Sequence, residues 1–94
     1  MDLNEIRAGI DGIDQKIIEL LAQRAALVGQ AATLKKNEQG VRDPKRVEDV
    51  INRVKAHARR AGLAEEIAER TYRTLIGCFV EKELDAFRKS ENRE

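Results

Sequence analysis

A guanidinium interrupts an otherwise apolar seam. Leu3, Ile6, Ile10, Ile13, Ile17, Leu20, Leu27, Ala31 and Leu34 fall at heptad spacing, and Arg24 occupies the row of Ile10, Ile17 and Ala31. Seam positions of a helix face a core, where an uncompensated cation is costly, although a long side chain can also snorkel to water from the seam's edge. The seam carries no Asp or Glu, so the expected partner of Arg24 is a carboxylate from another helix or a bound anion.

Two more polar residues fit that chemistry. If the first helix is continuous, Lys35 lies three turns beyond Arg24 and only about 20° around, with Cα atoms ~16 Å apart. Two long cationic side chains leaning together over that distance leave room for a small dianion, while a lysine near a helix C-terminus is also favourable without any ligand. Glu83 shares the apolar stripe of Tyr72, Ile76 and Phe79. Apolar surroundings favour the neutral, hydrogen-bond-donating form of a carboxyl; the alternatives are a wet helix end or a structural salt bridge to Arg24 or Lys35. Arg7 precedes Arg24 by roughly 25 Å of helix, too far for both to hold one small molecule. An antiparallel partner helix would bring a second copy's Arg7 toward Arg24. Arg46 is an ordinary solvated arginine on its spacing alone.

The elements that must position these groups are helices. Ala, Leu, Ile, Glu, Lys, Arg and Gln dominate the 94 residues, Pro44 is the sole proline, and Tyr72, Phe79 and Phe87 are the only aromatics; this is the composition of an all-α chain. The periodicity predicts a first helix from Asp2 or Leu3 to about Lys36, ended by a polar loop at Asn37 and Gly40. Gly9, Gly12 and Gly29 weaken it by about 1 kcal/mol each, so close backbone packing is expected at them. Asp43 as N-cap and Pro44 at the first helical position open a second helix with an apolar face of Val47, Val50, Ile51, Val54, Ala58 and Ala61, closed by Gly62. A third starts near Ala64 to Glu66, carries Ile67, Ala68, Thr71, Tyr72, Leu75, Ile76, Phe79 and Phe87 inward, and frays within Lys89 to Glu94. A first helix of about 50 Å would overhang a domain of this size, whose expected radius of gyration is ~12 Å. A partner chain is therefore expected, with residues 1–94 forming one domain.

Several function classes are disfavoured. A net charge of +1 leaves no electrostatic footprint for nucleic acid or an anionic membrane, and the few aromatics leave no base-stacking surface. His57 is the only histidine, so no metal constellation, histidine-activated nucleophile or cofactor is expected. Cys78 is alone among apolar neighbours, which suggests a buried thiol in a reducing compartment. The acidic N-terminus has no signal-peptide pattern and no apolar run reaches ~20 residues. A soluble, cytoplasmic protein is expected.

Ile6-Arg7, Ile13-Asp14, Ile17, Leu20-Leu21-Ala22-Gln23-Arg24, Lys35 and Val41-Arg42-Asp43-Pro44-Lys45-Arg46 resemble the AroQ class of all-helical chorismate mutases. The third helix, with Tyr72, Leu75-Ile76 and Glu83, fits that class more loosely. The resemblance implies an intertwined homodimer of three-helix chains, each of its two sites borrowing one arginine from the other subunit; Arg7 matches that residue. Arg24 and Lys35 match the main carboxylate and ether-oxygen contacts, Glu83 a Gln or Glu hydrogen-bonded to the same oxygen, and Arg46 a supporting arginine. Asp43 matches a residue whose backbone approaches the substrate hydroxyl. Val47 departs from the pattern, standing where typical mutases have a Glu for the ring hydroxyl, as does Phe79, where some have a Ser near a carboxylate.

The implied activity is the Claisen rearrangement of chorismate to prephenate, in aromatic amino-acid biosynthesis. Isochorismate pyruvate lyases and aminodeoxychorismate mutases share the scaffold, and an apolar Val47 is more like the lyase branch, whereas Asp43 and Glu83 are compatible with a mutase. Outside the enzymes, the same residues would fit a structural helical dimer whose register is set by a buried ion network.

Overall fold

A computed structural model describes residues 1–91, and four helices are present among them: α1 (Leu3–Ala32), α2 (Glu38–Arg42), α3 (Pro44–Ala61) and α4 (Glu65–Glu91). The chain divides into two units, residues 1–33 and 34–94.

The first unit is α1 alone. Asp2 caps it by accepting a hydrogen bond from the Glu5 N–H at 2.9 Å, satisfying one of the orphan donors of a helix start. None of its residues is buried, and Leu3, Ile6, Ile10, Ile13, Ile17, Leu20 and Leu27 are each close to half exposed or more. The apolar seam read from the sequence thus exists as an uncovered ridge about 45 Å long. Beyond the helix's own neighbouring backbone, nothing among the described residues comes within 4 Å of a Cβ added at Gly9, Gly12 or Gly29, so the expected close packing at these glycines is not made among the described residues.

The helix stops earlier than expected. Thr33 turns its N–H back to the carbonyls of Ala31 and Gln30, and its hydroxyl also donates to Gln30 at 2.7 Å. This local side-chain bond competes with helix continuation. Lys35 therefore lies in the connector, not on the α1 surface, and the expectation that it shares a helical face with Arg24 is overturned. The expected polar loop also holds one turn of helix. Asn37 caps α2 by accepting from the Gly40 N–H at 2.8 Å, and Val41 is 4% exposed; a buried apolar side chain gives this short turn the tertiary support it needs.

Asp43 joins α2 to α3. It terminates the first and caps the second with φ of 35°, a left-handed conformation that Asp tolerates better than most residues. Its carboxylate accepts from the Arg46 N–H at 3.2 Å, and Pro44 follows as the first helical residue. At the other end Gly62 adopts φ of 79° and returns its N–H to Ala58 and Arg59, a glycine C-cap as the sequence suggested.

In the second unit α4 packs on α3 and α2. Ile51, Ala58, Ala68, Leu84 and Val41 are its buried residues. Three expected inward positions, Ala61, Ile67 and Thr71, are exposed instead, and Cys78, expected to be buried, is an exposed thiol. On α4 the reason is rotational. Ile67, Thr71 and Cys78 cluster on one side of the helix at 100° per residue, away from the broad sector running from Leu75 through Ile76 to Leu84 that carries its buried and half-buried residues. α4 remains helical through Lys89, Ser90 and Glu91, and the rest of the predicted frayed tail lies outside the described residues.

Charged pairs lace α3 to α4. Arg73 forks onto Glu48 at 2.9 and 3.0 Å and reaches Glu69 at 3.0 Å, Lys55 meets Glu69 at 3.3 Å, and Arg59 forks onto Glu65 at 3.0 and 3.2 Å. Bidentate guanidinium–carboxylate geometry gives direction as well as attraction. The hydrogen bonds from Arg73 hold the Glu48 carboxyl below the ordinary range, Arg73 and Lys55 do the same to Glu69, and Arg59 does so to Glu65.

Candidate active site

Lys35 and Glu83 are brought together. Lys35 Nζ donates to Glu83 Oε2 at 2.9 Å, with the lysine side chain 25% and the glutamate side chain 10% exposed. The structure forms the salt bridge to Lys35 that the sequence offered as one alternative for Glu83. Partial burial makes it a stronger interaction than a surface pair, and it places a cation and a carboxylate side by side. A Cβ added at Gly40 would lie 3.7 Å from Lys35 Cβ and 4.0 Å from Lys35 Cγ, so the Lys35 stem passes close to this glycine of α2.

The other candidates of the second unit surround the α2–α3 junction and the facing stretch of α4. Asp43 is the strained residue of that junction, and backbone in a sparsely populated conformation is often kept where a function uses it. Arg46 is exposed in the first turn of α3 and Val47 is half-buried beside it. Phe79, also half-buried, precedes Glu83 by one turn of α4. Val47 lines a shallow open groove with Pro44, Ile76, Gly77 and Val80, flanked by Arg42, Glu48 and Arg73. Neither Lys35 nor Glu83 lines that groove. Its floor is apolar, and the nearest carboxylate, Glu48, is engaged by Arg73.

Arg7 and Arg24 belong to the first unit. Arg7 is exposed and Arg24 half-buried, and their seventeen-residue separation along an unbroken helix corresponds to about 25 Å. Among the described residues, no group of three or more His, Cys, Asp or Glu that could hold a metal ion is found, and no helix is long and apolar enough to cross a membrane.

Sequence reasoning missed two features that shape the site. One is α2, whose signal was present in Asn37 as a potential cap three residues before Gly40 and in the isolated apolar Val41. The other is the ion pair between Glu38 and Arg88: Arg88 donates through Nε at 3.0 Å and through a terminal nitrogen to the same oxygen, Glu38 Oε1. No sequence pattern announces a contact across fifty positions.

With this geometry in hand, the comparisons with known proteins are specific. The chain matches the chorismate mutase type II family over residues 6–84. It is 34% identical over 76 residues to a chorismate mutase of Methanocaldococcus jannaschii, an alignment covering 79% of this chain and 76% of that protein.

Proposed function

This chain belongs to the chorismate mutase type II family, and from that membership we propose that it is an isomerase converting chorismate to prephenate, with Arg7, Arg24, Lys35, Asp43, Arg46, Val47, Phe79 and Glu83 as its site. The observation that carries the assignment to this site is the half-buried Lys35–Glu83 pair at 2.9 Å, which lies within the matched span and joins a cation to a carboxyl as the reaction requires.

Chorismate carries two carboxylates, one of them on an enolpyruvyl ether. In its rearrangement the ether C–O bond breaks as a C–C bond forms, with six electrons moving in one ring and no proton transferred. Two demands fall on the protein. The flexible side chain must be held over the ring, which fixed arginines accomplish by gripping the carboxylates; Arg24 and Arg7 of the partner subunit take this role, with Arg46 in support. Negative charge growing on the ether oxygen must also be stabilised. Lys35 and the Glu83 carboxyl beside it take this role, while Val47 and Phe79 wall the ring and the Asp43 backbone approaches its hydroxyl.

The homodimer belongs to the same proposal. The uncovered apolar ridge of α1 gives a second copy something to bury, at about 1.5–3 kcal/mol per large aliphatic side chain fully covered. A reducing, cytoplasmic setting suits the exposed Cys78. A second reading, isochorismate pyruvate lyase, is favoured by the apolar Val47 and its groove. Offering chorismate and isochorismate side by side while measuring prephenate, pyruvate and salicylate tests both: prephenate from chorismate is expected, and pyruvate with salicylate from isochorismate alone would overturn the mutase assignment.

A further inference from the structure

We propose that Glu38 and Arg88 are positioning residues, an outer ion pair that seats α2 on α4 and thereby holds Lys35 against Glu83. The functional half of this inference rests on the mutase reading; the structural half does not. Among the described residues, two ion pairs connect the α2 region to α4, Lys35 with Glu83 and Glu38 with Arg88. Their polarities are opposed: the connector supplies a cation and then an anion, and α4 an anion and then a cation. Any slip of α2 along α4 that set Lys35 near Arg88 or Glu38 near Glu83 would bring like charges together, so the charge order specifies one seating.

Three features fix that seating. Val41 of α2 is buried, the Lys35 stem passes close to Gly40, where an added Cβ would lie 3.7 Å from Lys35 Cβ, and both donors of Arg88 converge on one oxygen of Glu38. Val41 alone supplies attraction without direction, because apolar burial is non-directional. The outer pair supplies the direction. Glu38 is three residues from Lys35, so releasing it frees the segment that carries the lysine, and a displacement of about 1 Å at a catalytic group can cost on the order of a hundredfold in rate.

The test uses Glu38→Gln, Arg88→Gln, the double variant and Arg88→Lys in the full chain. Each single charge removal is expected to lower kcat for chorismate roughly ten- to a hundredfold with KM little changed. The double variant should be no worse than either single, since the two residues act as one unit, and Arg88→Lys should recover part of the loss. Thermal midpoints should move little, because the pair is exposed. An unchanged kcat in the singles, losses that multiply in the double variant, or losses that track the midpoint would overturn the proposal. A second arm needs no turnover: the Lys35 ammonium resonance, expected to be sharp in the ligand-free parent, should broaden in both singles. Its persistence there would refute the clamp, whereas absence of chorismate turnover in the parent would count against the mutase reading alone.

Discussion

Lys35 and Glu83, 48 residues apart in the chain, meet at 2.9 Å in a partly buried ion pair. An amide N–H is always a donor to an ether oxygen, whereas an alanine offers none. Glu83→Gln should therefore keep substantial kcat for chorismate, and Glu83→Ala should lose about 10²–10³. A loss in the Gln variant as large as that in the Ala variant would show that residue 83 does not donate to the reacting oxygen.

Arg24 tests whether the seam cation serves a ligand. Arg24→Ala should cost roughly 10²–10³ in kcat/KM while the helical circular dichroism and the oligomeric state persist. Arg24→Lys should recover little, since an ammonium cannot reproduce a planar fork on a carboxylate. Loss of the folded assembly with Arg24→Ala would favour a structural ion network.

Sharing of the site between subunits predicts complementation. Arg7→Ala and Arg24→Ala homodimers should each be inactive. A mixed dimer places both lesions in one site and leaves the other intact, so activity should return on co-refolding, toward half the parental value per heterodimer. Sedimentation of a folded monomer at micromolar concentration would contradict the shared site.

The α3–α4 ion network predicts an acid limit to stability. Arg73, Lys55 and Arg59 hold the Glu48, Glu69 and Glu65 carboxyls below their ordinary value of 4.5. Groups depressed on folding contribute stability above the unfolded value and lose it as pH falls through the folded one. The thermal midpoint should be level with respect to these groups above about pH 5 and decline below 4.5, and Arg73→Met should flatten part of the decline. The effect will be modest, because these pairs are exposed and screened by salt.

Much of this was legible in the sequence because it depends on short-range chemistry. The helical class, the Asp43-Pro44 start of α3, its Gly62 stop and the α1 seam follow from propensity, capping and periodicity, which act within a few residues. Arg24 and Glu83 were legible as polar groups breaking apolar stripes, and Glu83 is half-buried on its stripe, whereas the site roles of Asp43, Arg46, Val47 and Phe79 came only from the family resemblance. Tertiary structure decided the rest. Whether α1 continued to Lys36 depended on Thr33 turning back on Gln30 and on α2 finding a buried place for Val41, and that shift moved Lys35 from a helix face to a connector. The rotation of α4 exposed Cys78, Ile67 and Thr71 and buried Leu84, a choice among neighbouring faces that a 100° repeat leaves nearly degenerate until another helix packs against one of them. The pairing of Lys35 with Glu83 and of Glu38 with Arg88 had no local signal, because a contact between residues 48 or 50 positions apart exists only after the intervening helices have packed.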